Sequence, residues 1–323
     1  MAVYTHLGAE ELATLLQNYG VGELISAKGI AEGVSNSNWL IETSGRDGNG
    51  GRFILTMYER RIEIDDLPFF LGLLDHLAEL GCAVPATIHD NAGKAWRQLD
   101  GKALALIEFL PGVSPTSPTP QQAYAVGRAL AEIHLAGQSF DQCRPNDLTP
   151  EHALAILESC GAKRIAEIDE DLPQFLQLGR QLVWHWPTDL PRSIIHSDLF
   201  SDNVLMRGNE VSGIIDFYFA AEDMMAYDLA VTHAAWCFDK SGASYRSELG
   251  SALISGYESI RPLEDKERSA LPVLAQGACL RFVATRAEDW LEAKNEAHVE
   301  RKDPMEFARR WEFYLNSGDG AFA

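Results

Sequence analysis

"LPGVSPTSPTPQQ", residues 110–122, puts four prolines, two serines and two threonines into thirteen positions. Proline fixes φ and removes a backbone donor, so neither a strand nor a helix runs through such a stretch. The composition marks a linker or hinge. The two sides of it differ in kind, and that difference limits the folds open to the chain.

The front side reads as strands. "NSNWLIET" (36–43) and "GRFILTMYE" (51–59) are β-prone apolar runs joined by the Gly-rich "SGRDGNG". "DDLPFFLGLLDHLAELG" (65–81) has helical apolar spacing, with Asp near its start and Gly81 as a stop. "WRQLDGKALALIEFL" (96–110) predicts a second hairpin turning at Asp100-Gly101. A small antiparallel sheet with one long helix against it follows. The first twenty residues predict a short amphipathic helix.

The back side predicts helices over about 121–136, 150–160, 171–186, 224–238, 243–258, 265–294 with at least one break, and 304–315. One β-rich island, "SIIHSDLFSDNVLMRGNEVSGIIDFYF" (193–219), interrupts them. No internal repeat is visible. This order gives an α+β, bilobal chain, with lobes at 1–110 and 111–323.

At 323 residues there is material for two packed units. No run of about 18 apolar residues occurs, so no membrane span is expected. The start lacks a basic n-region and does not read as a signal peptide. Five scattered cysteines with no C-x-x-C pair fit reduced thiols in a cytoplasm. A formal net charge of −20 argues against nucleic acid and anionic membrane as partners. An anionic ligand remains compatible where a divalent cation bridges it to carboxylates.

Within the island, "II" ends a strand at His196, Asp198 follows, and Asn203 comes five residues later. A tight turn, "RGNE", then returns a second apolar strand that delivers Asp216. Paired strands hold their flanking loops side by side, so Asp198, Asn203 and Asp216 are expected to converge. Phosphoryl transfer needs such a set, because its transition state is stabilised by positioning and Mg²⁺ rather than by a covalent nucleophile. Asn203 and Asp216 would hold the metal, and Asp198 would face the acceptor hydroxyl as base. The alternative is a turn rich in capping side chains.

"H-S-D-L-F-S-D-N" resembles the catalytic loop H-x-D-L-x-x-x-N of the protein-kinase-like superfamily, and "I-I-D-F" resembles its metal-binding D-F-G element. Phe217 is followed by Tyr218 rather than Gly, and no A-P-E element follows. That departure is similar to the small-molecule branch, the aminoglycoside phosphotransferases and choline kinases. The resemblance implies that His196 orients the loop and that Asp228, in "YDLA", braces it. It also implies a protein-kinase-like fold, with Gly33, Ser35, Asn36, Ser37 and Asn38 in the phosphate-covering hairpin. Glu108 and Leu110 would present backbone groups to adenine. Thr56 stands where the branch-wide phosphate-pairing Lys is expected, with Arg60 and Arg61 as the nearest other cations. No Walker A run occurs.

"GVSNSNWLIET", "FILTMYE", "HSDLFSDNVL", "IIDFYFA", "MMAYDLAVTHAAWCF" and "LRFVATRAEDW" together resemble the homoserine kinases related to aminoglycoside phosphotransferases, over about 3–315. The resemblance implies ATP and Mg²⁺ as cofactors and L-homoserine as the small-molecule acceptor, in a step towards threonine. An amino-acid acceptor needs a cation for its carboxylate: Arg281, with Arg286 five residues on, is the candidate, against ordinary helical pairing with Glu288 or Asp289. Asp202, Glu222 and Asp223 are candidates for the ammonium. Tyr218, Tyr227 and Trp236 are candidate pocket walls, or core. The rival readings are a kinase of another small alcohol (an aminoglycoside, choline or a methylthio-sugar) and a non-catalytic pseudokinase.

Overall fold

The structure, a computed structural model, describes residues 7–30, 36–46, 48–59, 63–292 and 301–322. The chain forms two compact units: Met1–Gly112 with Ser212–Tyr218, and Val113–Val211 with Phe219–Ala323.

In the first unit, helix α1 (Ala9–Leu16) precedes strands β1 (Leu24–Ile30), β2 (Asn36–Thr43) and β3 (Gly51–Tyr58). Helix α2 (Leu67–Glu79) and strands β4 (Thr87–Ile88), β5 (Arg97–Leu99) and β6 (Lys102–Glu108) complete it. The antiparallel sheet runs β1-β2-β3-β6-β4, with β5 on β6. Alternation sends Trp39, Ile41, Leu55, Met57, Leu104 and Leu106 to one face, where Leu12, Leu15 and Leu16 of α1 cover them. The opposite face carries Asn38 and its cross-strand partner Thr56, which in turn pairs with Ala105. The β5–β6 turn falls at the expected dipeptide. Asp100 (φ 49°) and Gly101 (φ 80°) are both left-handed, as the twist of a two-residue hairpin demands.

Asp75 ties α2 to β4. One carboxylate oxygen accepts from Thr87 N at 2.8 Å, and the other meets His89 Nε2 at 2.6 Å. His89 Nδ1 faces the Gly93 carbonyl at 3.1 Å. Both ring nitrogens thus face oxygens that only accept, which favours the imidazolium form. The bond to Asp75 raises the His89 pKa above its ordinary value. A raised folded-state pKa stabilises fully below about pH 6.5, the unfolded value, and that stabilisation is lost as pH rises through the folded one. The half-exposed imidazole limits the effect to under about 1 kcal/mol. Thermal unfolding followed from about pH 6 to about pH 9 should show this loss, and His89→Gln should flatten it.

In the second unit, α3 (Pro120–Gly137), α4 (Pro150–Cys160), α5 (Ala162–Ile165) and α6 (Gln174–Trp184) lead to β7 (Arg192–Ile195). Strands β8 (Val204–Arg207) and β9 (Glu210–Ile214) form a hairpin, whose last residues from Ser212 on belong to the first unit. Then come β10 (Ala221–Met224), antiparallel to β7, and helices α7 (Met225–Trp236), α8 (Ser247–Glu258), α9 (Asp265–Glu292) and α10 (Met305–Ser317). The expected break in α9 is absent among the described residues. Pro272 sits inside the helix, yet Leu271, Leu274, Ala275 and Ala278 are buried around it. Their burial outweighs the lost backbone bond. Helices α3 and α8 meet at glycines: a Cβ on Gly127 would strike the Leu253 carbonyl, and one on Gly256 the Tyr124 carbonyl. This close approach brings His134 of α3 to Tyr257 of α8. No helix among the described residues is long and apolar enough to cross a membrane.

Candidate active site

Strand β7 ends at Ile195, and the next two residues, His196 and Ser197, are fully buried. Ser197 has φ 61°, a left-handed conformation that a serine keeps only when its surroundings over-determine it. They do. Its N–H donates to Asp228 Oδ1 at 2.7 Å, its hydroxyl to the Phe219 carbonyl at 3.1 Å, and its own carbonyl accepts from Arg281. The chain then turns back on itself. Asp198 N–H donates to His196 Nδ1 (3.2 Å), and the Asp198 carbonyl accepts from Phe200 N (2.9 Å) and Asn203 Nδ2 (2.8 Å). His196 is thereby a brace within the loop. The Leu199 carbonyl accepts from the Trp236 indole N–H at 2.9 Å.

Asn203 fits a metal-binding role by the way its amide is turned. A backbone carbonyl only accepts, so the side-chain nitrogen must face Asp198 O and the carboxamide oxygen points elsewhere. A hard divalent cation takes such an oxygen together with a carboxylate. Asp216 belongs to the first unit and is another left-handed residue (φ 68°).

Asp228, in the first turn of α7, is completely buried and accepts three bonds: His196 N (2.7 Å), Ser197 N (2.7 Å) and His134 Nε2 (3.0 Å). Burial alone would raise its pKa, but the bonds from His134 and the His196 amide outweigh it and hold the carboxyl below the ordinary range. Behind it runs a chain of hydrogen bonds. Arg261 can only donate, to Glu267 at 2.9 and 3.0 Å and to the Tyr257 hydroxyl at 3.4 Å. Tyr257 meets His134 Nδ1 at 2.8 Å, and His134 Nε2 meets Asp228. Arg261 donates to Tyr257, and His134 Nε2 donates to Asp228. None of His134, Tyr257, Arg261 and Glu267 carries a motif, and periodicity reads them as helix faces only.

The other expected residues are placed as follows. Arg281 is neither exposed nor paired with Glu288 or Asp289. It is buried, with Nη1 on the Ser197 carbonyl and Nη2 3.3 Å from Asp198 Oδ1. Arg286 is buried too and pairs with Glu306 (2.7 Å) and the Asp303 carbonyl (3.0 Å), so the two arginines serve different neighbours. Trp236 is core: its ring is buried and its N–H props the loop. Tyr227 is likewise interior, against Trp186 at 5.5 Å. Glu222 and Asp223 lie on β10 and meet Arg192 at 3.5 and 3.3 Å, while Asp202 is exposed.

In the first unit, Tyr218 is half-buried, its hydroxyl 3.1 Å from that of Tyr58, with desolvation raising its pKa. Thr56 donates to Asn38 Oδ1 at 2.8 Å. Ser37, one residue earlier, lies on the other face and donates to Glu59 at 2.7 Å, because neighbouring strand residues point oppositely. Ser37 and Asn38 are therefore not brought together. Asn36 lies at the strand's buried end. Lys102, a cation with no motif to flag it, pairs with Glu59. Glu108 has already given its N–H to the Ala86 carbonyl at 2.9 Å, which removes it as a donor. Leu110 is half-buried. Gly33, Ser35, Arg60 and Arg61 lie outside the described residues.

Comparison with known proteins adds an independent line. The model of the phosphotransferase enzyme family, APH, matches residues 26–263. A homoserine kinase of Methylobacterium radiotolerans is 46% identical over 323 residues, covering 99% of this chain and 98% of its own. One of Rhodopseudomonas palustris is 46% identical over 318 residues, covering 98% and 95%. Among solved structures, an amicoumacin kinase in complex with AMP-PNP, Ca²⁺ and Ami superposes with a TM-score of 0.69 at 14% identity, over 96% of this chain and 95% of that one. The last likeness concerns the fold alone.

Proposed function

We propose, on the premise that the chain belongs to the APH phosphotransferase enzyme family, that it transfers the γ-phosphoryl group of ATP to the hydroxyl of L-homoserine. The observation that carries this reading is 46% identity along nearly the whole chain to homoserine kinases, with the H-S-D-L-F-S-D-N loop complete. The products are O-phospho-L-homoserine and ADP, and the product leads towards threonine.

The loop's own residues account for the chemistry asked of them. Asp198 takes the proton of the acceptor hydroxyl as that oxygen bonds to phosphorus and the β,γ-bridging oxygen leaves with ADP. Its side chain is 19% exposed, enough to meet an acceptor, while the residues that hold it are buried. Asn203 and Asp216 would hold Mg²⁺, which supplies charge neutralisation at the phosphates when bound. Asp228, His196 and Trp236 fix the loop's backbone, so that the base is placed before the acceptor arrives. Asn38 and Thr56, hydrogen-bonded on the face of the sheet away from α1, are assigned to the nucleotide side. A reduced cytoplasm suits its five free thiols.

An ADP-release assay over a panel of acceptors tests the proposal. L-homoserine should be the preferred acceptor, with phosphorus NMR showing a phosphomonoester on its side-chain oxygen. Turnover of choline or kanamycin without turnover of homoserine would end the assignment. No turnover with any acceptor would point to a pseudokinase.

A further inference from the structure

The loop's second clamp points to a role for Arg281 other than the one its sequence position suggests. Its guanidinium reaches the Ser197 carbonyl through Nη1, the Ser197 hydroxyl at 3.3 Å, and Asp198 Oδ1 through Nη2 at 3.3 Å. Two rings lie against that fork: the Phe219 centroid is 5.4 Å from the guanidinium carbon, and that of Phe282 4.8 Å. Phe282 is itself wedged between Phe200 (5.0 Å) and Phe307 (4.5 Å). The Arg281 side chain is 4% exposed against 19% for Asp198. With Nη1 on Ser197, Nη2 on Asp198 and almost no open surface, this arginine offers little of its fork to a substrate carboxylate. Asp198 Oδ2, by contrast, has no hydrogen-bond partner among the described residues.

We propose that Arg281 is a positioning residue for the reaction: it holds Ser197 in its left-handed turn and orients the Asp198 carboxylate, leaving Oδ2 for the acceptor hydroxyl. The proposal rests on the kinase reading but not on the identity of the acceptor. A guanidinium is needed because one planar group must meet a carbonyl and a carboxylate while packing against aromatic rings. An ammonium makes a point contact with one of them and cannot stack flat.

The test compares Arg281→Lys and Arg281→Met with the parent protein, using L-homoserine and L-homoserinamide, which keeps the hydroxyl and the ammonium but lacks the carboxylate. A positioning role predicts that kcat falls about 100-fold by the same factor for both acceptors, with KM for ATP and for homoserine within about threefold. A carboxylate-binding role predicts instead a large rise in KM for homoserine and an unchanged rate with the amide, and that result overturns the proposal. Unchanged kcat on both acceptors overturns it as well. Thermal unfolding of each variant confirms the fold, and Arg281→Lys carries the test if Arg281→Met does not fold. Where the amide is a poor acceptor, the kcat-against-KM split on homoserine decides alone. Should the parent use a different alcohol, the same split is measured with that alcohol, so the homoserine assignment and the Arg281 role fail separately.

Discussion

Replacing Asp198 by Asn is expected to lower kcat by about a thousandfold while leaving the KM for ATP nearly unchanged. The amide has the size of the carboxylate, and its oxygen can still accept from Arg281 Nη2, 3.3 Å from Oδ1 in the parent. The loop is otherwise held through backbone groups that the substitution does not touch: the Asp198 N–H on His196, and its carbonyl on Phe200 and Asn203. Binding and fold therefore survive, and what disappears is the ability to take a proton. Some turnover should persist, since phosphoryl transfer depends mainly on positioning and charge stabilisation. Steady-state rates with ADP release as readout, together with a nucleotide titration, measure both halves. Full turnover in the variant would remove Asp198 from the role of base and leave the loop a structural bend.

What the sequence could disclose followed the range of the interactions. The Asp100-Gly101 turn, the β2–β3 hairpin and helix α4 are set by neighbours a few positions away, and each lies where local chemistry puts it. Strand β1 gave no signal because its residues are mostly exposed at a sheet edge and show no apolar alternation. Strand β10 reads as "AEDM" and exists because β7 lies beside it. The uninterrupted α9 is a tertiary effect, in which burial on both sides of Pro272 overrides a local breaker. The return of Ser212–Tyr218 to the first unit likewise leaves no compositional mark.

The same logic separates the legible from the hidden residues of the loop. His196, Asp198 and Asn203 fall within one eight-residue window, so spacing alone brings them together. Their supports come from far along the chain: Asp228 31 and 32 positions from the amides it accepts, Arg281 83 positions from Asp198, and His134 94 positions from Asp228. From the sequence, Arg281 reads as the cation for a substrate carboxylate, or as an ordinary helical arginine pairing with Glu288 or Asp289. A buried cation takes whatever partners the fold aims at it, and periodicity does not say which those are. The alternation of strand residues explains the split between Ser37 and Asn38, which a string of hydroxyl and amide residues conceals.

Asp228→Asn should be the most destabilising of these changes, with an apparent Tm lower by roughly 10 °C and kcat reduced along with it. The buried carboxylate satisfies three donors, the amides of His196 and Ser197 and the His134 ring nitrogen. An asparagine has one accepting oxygen and an NH₂ that must face one of those same donors. At least one N–H is left unpaired in a fully buried place, and a donor confronts a donor, together about 3–5 kcal/mol. Unlike Asp198→Asn, this change strikes the backbone of the loop. Ser197 keeps its left-handed φ only while its amide, hydroxyl and carbonyl are all held, and the amide bond is the one lost or weakened. The pH dependence has a fixed sign. Because the folded Asp228 carboxyl lies below its ordinary range, its contribution is complete above about pH 4 and is lost as pH falls through the folded value. The parent should therefore lose part of its advantage over the variant in strong acid, and none between about pH 5 and pH 8. Calorimetry of both proteins from about pH 8 down into strong acid checks the difference. Equal Tm values with equal activity would mean that the loop holds its shape without Asp228.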